Sequence, residues 1–212
     1  MQVEAGTVLK PDTPFANAWT VGDLTRQLTE KGESQAMAAR QLWFESLSLH
    51  AVICSEATRA TATKEIMAGG RFAKGQPGSL TLHTLHPARS GTPECEKMFD
   101  KLGYGTLNTY FADQTVEGCE GHGRPIFRHY VDKVSGELHQ LVTAGLADVP
   151  KTGADTVAVF GHAVFLNAVA IAVAEAMGIP SAEEQIAAFE LGEAQGILCD
   201  ADAGTVSLTQ GV

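Results

Sequence analysis

Apolar residues follow two different periods along the chain, and each period predicts its own kind of element. Helical spacing of apolar positions predicts a helix over about residues 33 to 45. Short, continuous apolar runs at 50–55, "HAVICS", and in the last residues of "KTGADTVAVF" predict buried strands. The segment 79–87, "SLTLHTLHP", alternates between apolar and polar residues, which predicts a strand or an extended sheet edge.

Helical segments follow both of the buried strands. "EATRATATKEIMAGG" comes after the first strand, and Gly69 stands where a glycine commonly ends a helix. "AVFLNAVAIAVAEAMG" comes after the second strand and also ends in a glycine. The remaining predicted elements are a short strand in "TVLK" (7–10) that Pro11 stops, helices in "ECEKMFDKLG" and over 126–146, and two short strands around Gly204.

This alternation of strands and helices is typical of the α/β class with a mostly parallel sheet. The 212 residues suit one domain spanning 1–212, and a hydrophobic fraction of 44% allows a sizeable core. A formal net charge of −10 disfavours nucleic acid and anionic membranes as partners. An anionic substrate would therefore need a local basic pocket that acts against the overall field.

Cysteine spacing and the N-terminal residues bear on the cellular compartment. The cysteines form no C-x-x-C pair, which indicates free thiols in a reducing environment: Cys54, Cys95, Cys119 and Cys199. The first residues, "MQVEAGTVLKPDTPF", lack the apolar stretch of a signal peptide. Polar residues interrupt the longest apolar run, near 157–177, which favours a core strand and helix over a membrane span. We therefore expect a cytoplasmic protein.

Two stretches that directly follow predicted strands carry polar residues. Ligands of open parallel sheets bind at the carboxyl ends of the strands, which selects residues 55–59 and the pair Gly161-His162. Arg59 lies in the first turn of its helix, where the helix dipole favours negative charge, so a bound anion would compensate the guanidinium. The alternative is a surface arginine paired with Glu56.

His162, at the start of the second helix, could likewise belong to an anion site or have only a structural role. A helix N-terminus disfavours an imidazolium unless a bound anion compensates its charge. A histidine beside apolar segments can also be purely structural. Complementary polar groups at two strand ends favour a site over that alternative.

Three segments of the chain share the order and spacing of motifs found together in one enzyme superfamily. They are "LTEKGESQA", "HAVICSEATRATATKEIM" and "VAVFGHAVFLNAVA", and the match spans roughly residues 5 to 178. The matching positions are Leu28, Thr29, Gly32, Gln35 and Ala36, then Ser55, Arg59, Ala60 and Thr63, then Gly161 and His162. The chain in this respect resembles the histidine phosphatase superfamily, in its phosphoglycerate-mutase-like branch. The resemblance implies a three-layer α/β/α sandwich and a phosphate pocket that contains Arg59 and His162.

The catalytic motif of that family is absent from this chain. Members carry R-H-G at the end of the first strand, and its histidine attacks the phosphoryl group to become phosphohistidine. Residues 1–49 contain no histidine. Aligned without gaps, "KPDTPFAN" places Lys10, Pro11 and Asp12 on R-H-G. Asn17 then matches an asparagine of the family's pocket, and a shift of one residue would place Lys10 on the histidine instead.

The family's leaving-group acid has more than one candidate here. It should follow the 79–87 segment, where His86 is nearest by register and Glu94 is the nearest carboxylate. Glu94 also fits a solvated residue at a helix start. Cys119 and His122 are too few ligands for a metal site, so neither a metal nor a cofactor is predicted.

Three functions fit these residues. The first is a divergent histidine-phosphatase-like protein whose pocket, built from Lys10, Asn17, Arg59 and His162, binds a small phosphorylated or carboxylated molecule. The second is an active phosphomonoesterase-like or mutase-like enzyme of altered chemistry, with His162 as general base or Asp12 as nucleophile. The third is a non-catalytic interaction protein. The apolar C-terminal region suits either a core or a homo-oligomer interface.

Overall fold

The computed structural model describes residues 24–102, 110–111, 115–116, 118–147, 149 and 156–211. The α-helices in these ranges are α1 (Glu30–Leu42), α2 (Thr58–Ala68), α3 (Pro93–Leu102), α4 (Gly123–Gly145), α5 (Ala163–Ala176) and α6 (Ala182–Ala187). The strands are β1 (Leu49–Cys54), β2 (Ser79–Thr81), β3 (Thr156–Phe160), β4 (Ile197–Asp200) and β5 (Thr205–Leu208). Short 3₁₀ turns link several of these elements.

Within the described residues, β1 is the central strand of a parallel three-stranded sheet with the order β2-β1-β3. Cys54 at the end of β1 is in register with Thr81 of β2 and Phe160 of β3. Backbone bonds continue just past these ends, from Ser55 N–H to the Phe160 carbonyl (2.8 Å) and from Leu82 N–H to the Cys54 carbonyl (3.0 Å). The carboxyl ends of the three strands therefore reach one edge of the sheet. The predicted mixed α/β class and parallel sheet are confirmed.

Two clusters of buried apolar side chains lie on opposite faces of β1. Ile53 belongs to the larger cluster, together with side chains of α3, α4 and α5. Val52 and Cys54 belong to the smaller cluster, together with side chains of α1 and α2. Successive residues of a strand point to opposite faces, which explains the division. The segments that leave β1 and β3 are thus anchored by apolar packing on both faces of the central strand.

Local contacts fix the start of α1. Thr29 Oγ1 accepts a hydrogen bond from Gly32 N–H at 3.0 Å and caps the helix. A Cβ on Gly32 would lie 2.7 Å from Leu28 Cδ1, so this glycine allows the leucine to fold back onto the first turn. The cap moves the helix start to Glu30, three residues before the predicted position, and a 3₁₀ turn at Phe44–Ser46 replaces its predicted end.

The other predicted helices are confirmed with small shifts. The helices after β1 and β3 are α2 and α5, and Gly69, whose φ of +73° suits a glycine, caps the carboxyl end of α2. The helices predicted in "ECEKMFDKLG" and over 126–146 are α3 and α4. In the described ranges, no helix combines the length and the apolar character needed to cross a membrane.

The predicted strands have mixed outcomes. The strands at 50–55 and 156–160 and the closing pair around Gly204 are confirmed, the last as the antiparallel hairpin β4–β5. The predicted burial holds for β1 but is wrong for most of β3, in which only Phe160 is buried and Val157 is exposed. The strand predicted at 7–10 lies outside the described residues.

The strand predicted over 79–87 is wrong beyond its first three residues. β2 ends at Thr81, and a 3₁₀ turn follows at His83–Leu85. Leu82 and Leu85 are both buried, although residues three apart in a strand point to opposite faces. A turn with three residues per turn places both side chains in the core. Apolar burial therefore outweighs the alternating pattern here.

The cysteines are free thiols, as their spacing predicts. Burial raises the pKa of Cys54 to about 11, although the charge of nearby Lys64 acts in the opposite direction. Burial also raises the pKa of Cys199 to about 11. Thiols with such values remain protonated, and hence poorly reactive, at neutral pH.

Candidate functional site

Residues that follow the three parallel strands converge at the carboxyl edge of the sheet. Ser55 follows β1, and Arg59 lies in the first turn of α2. His86 follows the turn after β2, and His162 lies between β3 and α5. The exposed fractions are 1% for Ser55, 1% for Arg59, 0% for His86 and 3% for His162. The structure thus brings together three of the predicted site residues, Arg59, His86 and His162, and adds Ser55.

The imidazole of His162 is the centre of this group. Its Nδ1 lies 3.3 Å from Arg59 Nη2, and its Nε2 lies 3.3 Å from Ser55 Oγ. The His86 ring packs edge-on against it, with a centroid separation of 5.2 Å and an interplanar angle of 83°. Side chains from three strand ends are therefore in direct contact.

The guanidinium determines which nitrogen of His162 carries a hydrogen. Arg59 has only N–H donors, so the Nδ1 atom that it contacts must be an acceptor without a hydrogen. In the neutral imidazole the other nitrogen then carries the hydrogen, and Nε2–H donates to Ser55 Oγ. This tautomer is assigned from the chemistry of the partners. It gives a directed chain of hydrogen bonds from Arg59 through His162 to Ser55.

The turn that carries His86 is held by side chains of α4. The Tyr130 hydroxyl donates to the Thr84 carbonyl at 2.7 Å, and the Thr84 hydroxyl donates to Glu137 Oε2 at 2.6 Å. Burial raises the pKa of the Tyr130 phenol well above its ordinary value, so this group remains a donor. These bonds fix the turn two residues before His86 and help to hold its ring against His162.

Arg59 does not form the surface ion pair with Glu56 that was its alternative role. The Glu56 carboxylate accepts hydrogen bonds from His83 Nδ1 at 2.7 Å and from Arg89 Nε at 3.0 Å. Burial alone would raise the pKa of Glu56, but the bonds and charges of His83 and Arg89 outweigh it and lower that pKa. Glu56 is therefore an ionised group outside the buried site, while Arg59 points into the protein.

Glu94 lies at the start of α3 and bonds to surface groups. Its carboxylate accepts from Lys97 Nζ at 2.7 Å and from the Glu120 N–H at 3.2 Å. These bonds lower its pKa, the Lys97 hydrogen bond most and the Glu120 N–H next. A proton donor needs a raised pKa, so these contacts suit the solvated helix-start role rather than the acid role.

Three predicted residues, Lys10, Asp12 and Asn17, lie outside the described residues, and their roles stay predictions. The contact of Ser55 with His162 was not predicted, although the position of Ser55 directly after a buried strand is a signal for it. The support that Tyr130 gives to the turn at Thr84 has no comparable signal, because the two residues are 46 positions apart.

The two helices that begin at the site have no side-chain cap of their own. The N-cap positions are Ala57 for α2 and His162 for α5, and neither side chain bonds a helix N–H group. Neither first turn contains an acidic residue. The N–H groups and positive dipole ends of two helices therefore lie at the same edge as Arg59.

A metal centre is not indicated in the part of the chain that the structure describes, where no group of three or more His, Cys, Asp or Glu residues could hold an ion. Comparison with known proteins finds no family model, no curated protein and no solved structure that matches the chain. The side-chain contacts at the carboxyl edge of the sheet therefore provide the basis for a functional hypothesis.

Proposed function

We propose that this protein is a divergent histidine-phosphatase-like protein that binds a small anion, a phosphate or a carboxylate, at the carboxyl edge of its parallel sheet. It does so without forming a phosphohistidine. The observation that carries the proposal is the buried guanidinium of Arg59 in contact with His162, whose ring packs against His86.

An anion is the ligand that these groups would stabilise best. The guanidinium of Arg59 is a planar fork of N–H donors whose geometry matches phosphate and carboxylate. A bound anion would place negative charge beside this buried guanidinium and would accept its N–H donors in charge-assisted hydrogen bonds. The N-termini of α2 and α5 at the same edge add to the positive potential.

We also propose the finer fold that the resemblance implies, a three-layer α/β/α sandwich. Support comes from the two apolar clusters on opposite faces of β1 and from the parallel strand order. Ser55, Arg59 and His162 belong to two of the three resembling segments and are in contact at one edge. Thr29 and Gly32, in the third segment, start α1 instead.

General-base catalysis by His162 is less well supported by the contacts of its ring. A base needs an unprotonated nitrogen directed at the substrate, whereas Nδ1 accepts from Arg59 and Nε2 carries the hydrogen. A nucleophilic Ser55 meets a similar obstacle, because a Ser-His pair needs Nε2 as the acceptor and a carboxylate on Nδ1. These contacts favour binding over turnover. A nucleophile at Asp12 stays the main alternative.

Thermal unfolding with added anions tests the binding proposal. Phosphate and sulfate at constant ionic strength should raise the Tm by several degrees over chloride, because a ligand of the folded state stabilises it. Arg59→Ala should abolish the increase. Arg59→Lys, which keeps the charge but loses the fork, should retain only part of it.

A matched arginine controls for general charge effects. Arg124 pairs with Glu183 at the surface, and Arg124→Ala should leave the anion-induced increase in Tm unchanged. If neither phosphate nor sulfate raises the Tm of the unmodified protein, the anion pocket is wrong and the interaction protein becomes the better hypothesis.

Phosphate release from a panel of phosphomonoesters separates binding from catalysis. The proposal expects no release above the level of the Arg59→Ala protein. An acid-stable phosphoenzyme is not expected, and neither is an acid-labile one. An acyl phosphate that forms on the unmodified protein but not on Asp12→Asn would instead establish the enzyme with altered chemistry.

A further inference from the structure

We infer that the Ser55 hydroxyl is a ligand-binding group, oriented by Arg59 and His162, that selects anions able to accept a hydrogen bond. The inference rests on the proposed function, because it names a group of the site that meets the anion. Ser55 lies in the stretch 55–59 that the sequence selects, but the sequence assigns it no role of its own. Its role follows from counting the donors and acceptors around its oxygen.

Both acceptor positions of Ser55 Oγ are used by donors. The Nε2 atom of His162, which carries a hydrogen, lies 3.3 Å from this oxygen, and the donating backbone nitrogen of Ala57 lies 3.4 Å from it. A hydroxyl has two acceptor lone pairs and one hydrogen. Neither bond uses the hydroxyl hydrogen of Ser55, which must therefore point away from both donors. Ser55 can meet a further partner only as a donor.

The backbone of Ser55 leaves this hydroxyl little freedom. Its N–H donates to the Phe160 carbonyl at 2.8 Å, so the residue is tied to β3 directly after the strand end. The residue is 1% exposed. The Arg59 guanidinium also polarises the imidazole that donates to Ser55, and chains of hydrogen bonds strengthen one another in this way. The donor is consequently fixed in place before a ligand binds.

A site with these donors distinguishes ligands by whether the atom facing Ser55 carries a hydrogen. Arg59 offers only N–H groups, and Ser55 offers its O–H hydrogen. An oxygen that carries no hydrogen accepts both, as in sulfate, dianionic phosphate or an ionised carboxylate. A group that presents its own N–H or O–H to Ser55 would leave two donors facing each other, which costs the desolvation of an unpaired polar group.

Calorimetric titration with sulfate tests the role of Ser55. Ser55→Ala should raise the Kd for sulfate about tenfold, which corresponds to the loss of one hydrogen bond to a charged group. Ser79→Ala is the matched control. The Ser79 hydroxyl donates to the Phe72 carbonyl at 3.0 Å, at the amino end of β2 and hence at the opposite edge of the sheet. Its removal should leave the Kd unchanged.

The tautomer of His162 provides a readout that a merely structural serine would not move. Long-range ¹H–¹⁵N spectra of histidine-labelled protein should show protonated Nε2 and unprotonated Nδ1 at neutral pH, with the signal assigned by its loss in His162→Gln. Ser55→Ala should keep this tautomer, because Arg59 sets it. Sulfate should shift the signal in the unmodified protein and much less in Ser55→Ala.

The outcomes separate this inference from the function on which it rests. If the unmodified protein binds sulfate and Ser55→Ala binds it equally well, the Ser55 inference is wrong and the anion pocket stands. A hydrogen on Nδ1 would likewise overturn the inference. If the unmodified protein binds neither sulfate nor phosphate, the proposed function fails and the ligand role of Ser55 fails with it.

Discussion

Helices α1 and α2 begin in opposite ways. The first turn of α1 is capped by Thr29 and contains two acidic residues, Glu30 and Glu33. The first turn of α2 follows Ala57, which cannot cap, and contains Arg59. Acidic residues stabilise the positive end of a helix dipole, and a cation there is unfavourable. α1 therefore satisfies its own start, whereas α2 depends on groups from elsewhere.

This difference separates a folding signal from a functional one. Both helix starts belong to segments on which the proposed histidine-phosphatase-like relationship rests. In the first segment, Thr29 and Gly32 act on their own helix. In the second, Ser55 and Arg59 reach His162 across the sheet edge. The second arrangement joins two strand ends at the edge where ligands of parallel sheets bind, so it is the one that we connect to a ligand.

The largest expected effect is on stability, when an arginine of α2 is replaced and compared with an arginine of α1. Arg59→Ala should lower the free energy of unfolding by about 3 kcal/mol, because it leaves a cavity and removes the donor that orients His162. Arg40, in the last turn of α1, is 42% exposed and bonds to Glu45. Arg40→Ala should cost less than about 1 kcal/mol. Urea denaturation measures both, and equal losses would contradict the contrast between the helices.

Removal of the α1 cap should have a smaller effect, confined to stability. Thr29→Ala should lower the free energy of unfolding by about 1 kcal/mol, because Gly32 N–H loses its acceptor. Thr29→Ser, which keeps the hydroxyl, should recover most of the loss. The sulfate-induced increase in Tm should be the same in all three proteins. A reduced increase in Thr29→Ala would connect α1 to the anion site and weaken the comparison.

The elements of this fold were predictable where a segment carries one clear apolar pattern. The strands at 50–55 and 156–160 follow from short continuous apolar runs and the helices α4 and α5 from longer apolar segments, and the rule for parallel strands predicts that ligand groups gather at the carboxyl ends of the strands. The turn at His83–Leu85 was not predictable in this way, because its alternating pattern yields to burial of leucines in a core that distant helices complete.

Much of the site depends on contacts that the sequence does not encode locally. That Arg59 and His162 stand after strands was evident, but their separation in the chain hides the 3.3 Å contact between them. The tautomer of His162 follows only from that contact. The turn before His86 is held by Tyr130, whose own segment predicts nothing but a helix. Side-chain networks of this kind are set by tertiary packing, which no local pattern reports.

An acidic residue at the start of α2 would make it resemble α1. Thr58 is the first residue of α2 and is half-buried. Thr58→Asp should raise the free energy of unfolding by about 0.5 kcal/mol through the helix dipole. It should also lower the affinity for sulfate, because its carboxylate competes for the same positive potential. Thr58→Asn, whose side chain has the shape of aspartate without its charge, should change neither the stability nor the affinity for sulfate. An unchanged Kd in Thr58→Asp would place sulfate binding away from this helix start.

The smallest expected effect concerns Glu56, the acidic residue closest before α2. Its pKa is lowered in the folded protein by His83 and Arg89, so its ionised form is favoured by folding. The stability that it contributes is present above the unfolded pKa of about 4.3 and is lost as the pH falls through the lower folded pKa. Because its partners are solvated, Glu56→Gln should cost less than about 0.5 kcal/mol at pH 7.

Urea denaturation from pH 7 to pH 3 measures this difference between Glu56→Gln and the unmodified protein. The difference should shrink as the pH falls below the unfolded value, because both proteins then carry a neutral side chain at position 56. A difference that grows with acidity would mean that the carboxyl is protonated more easily in the folded state. Glu56 would then belong with the buried groups around Arg59 rather than with His83 and Arg89.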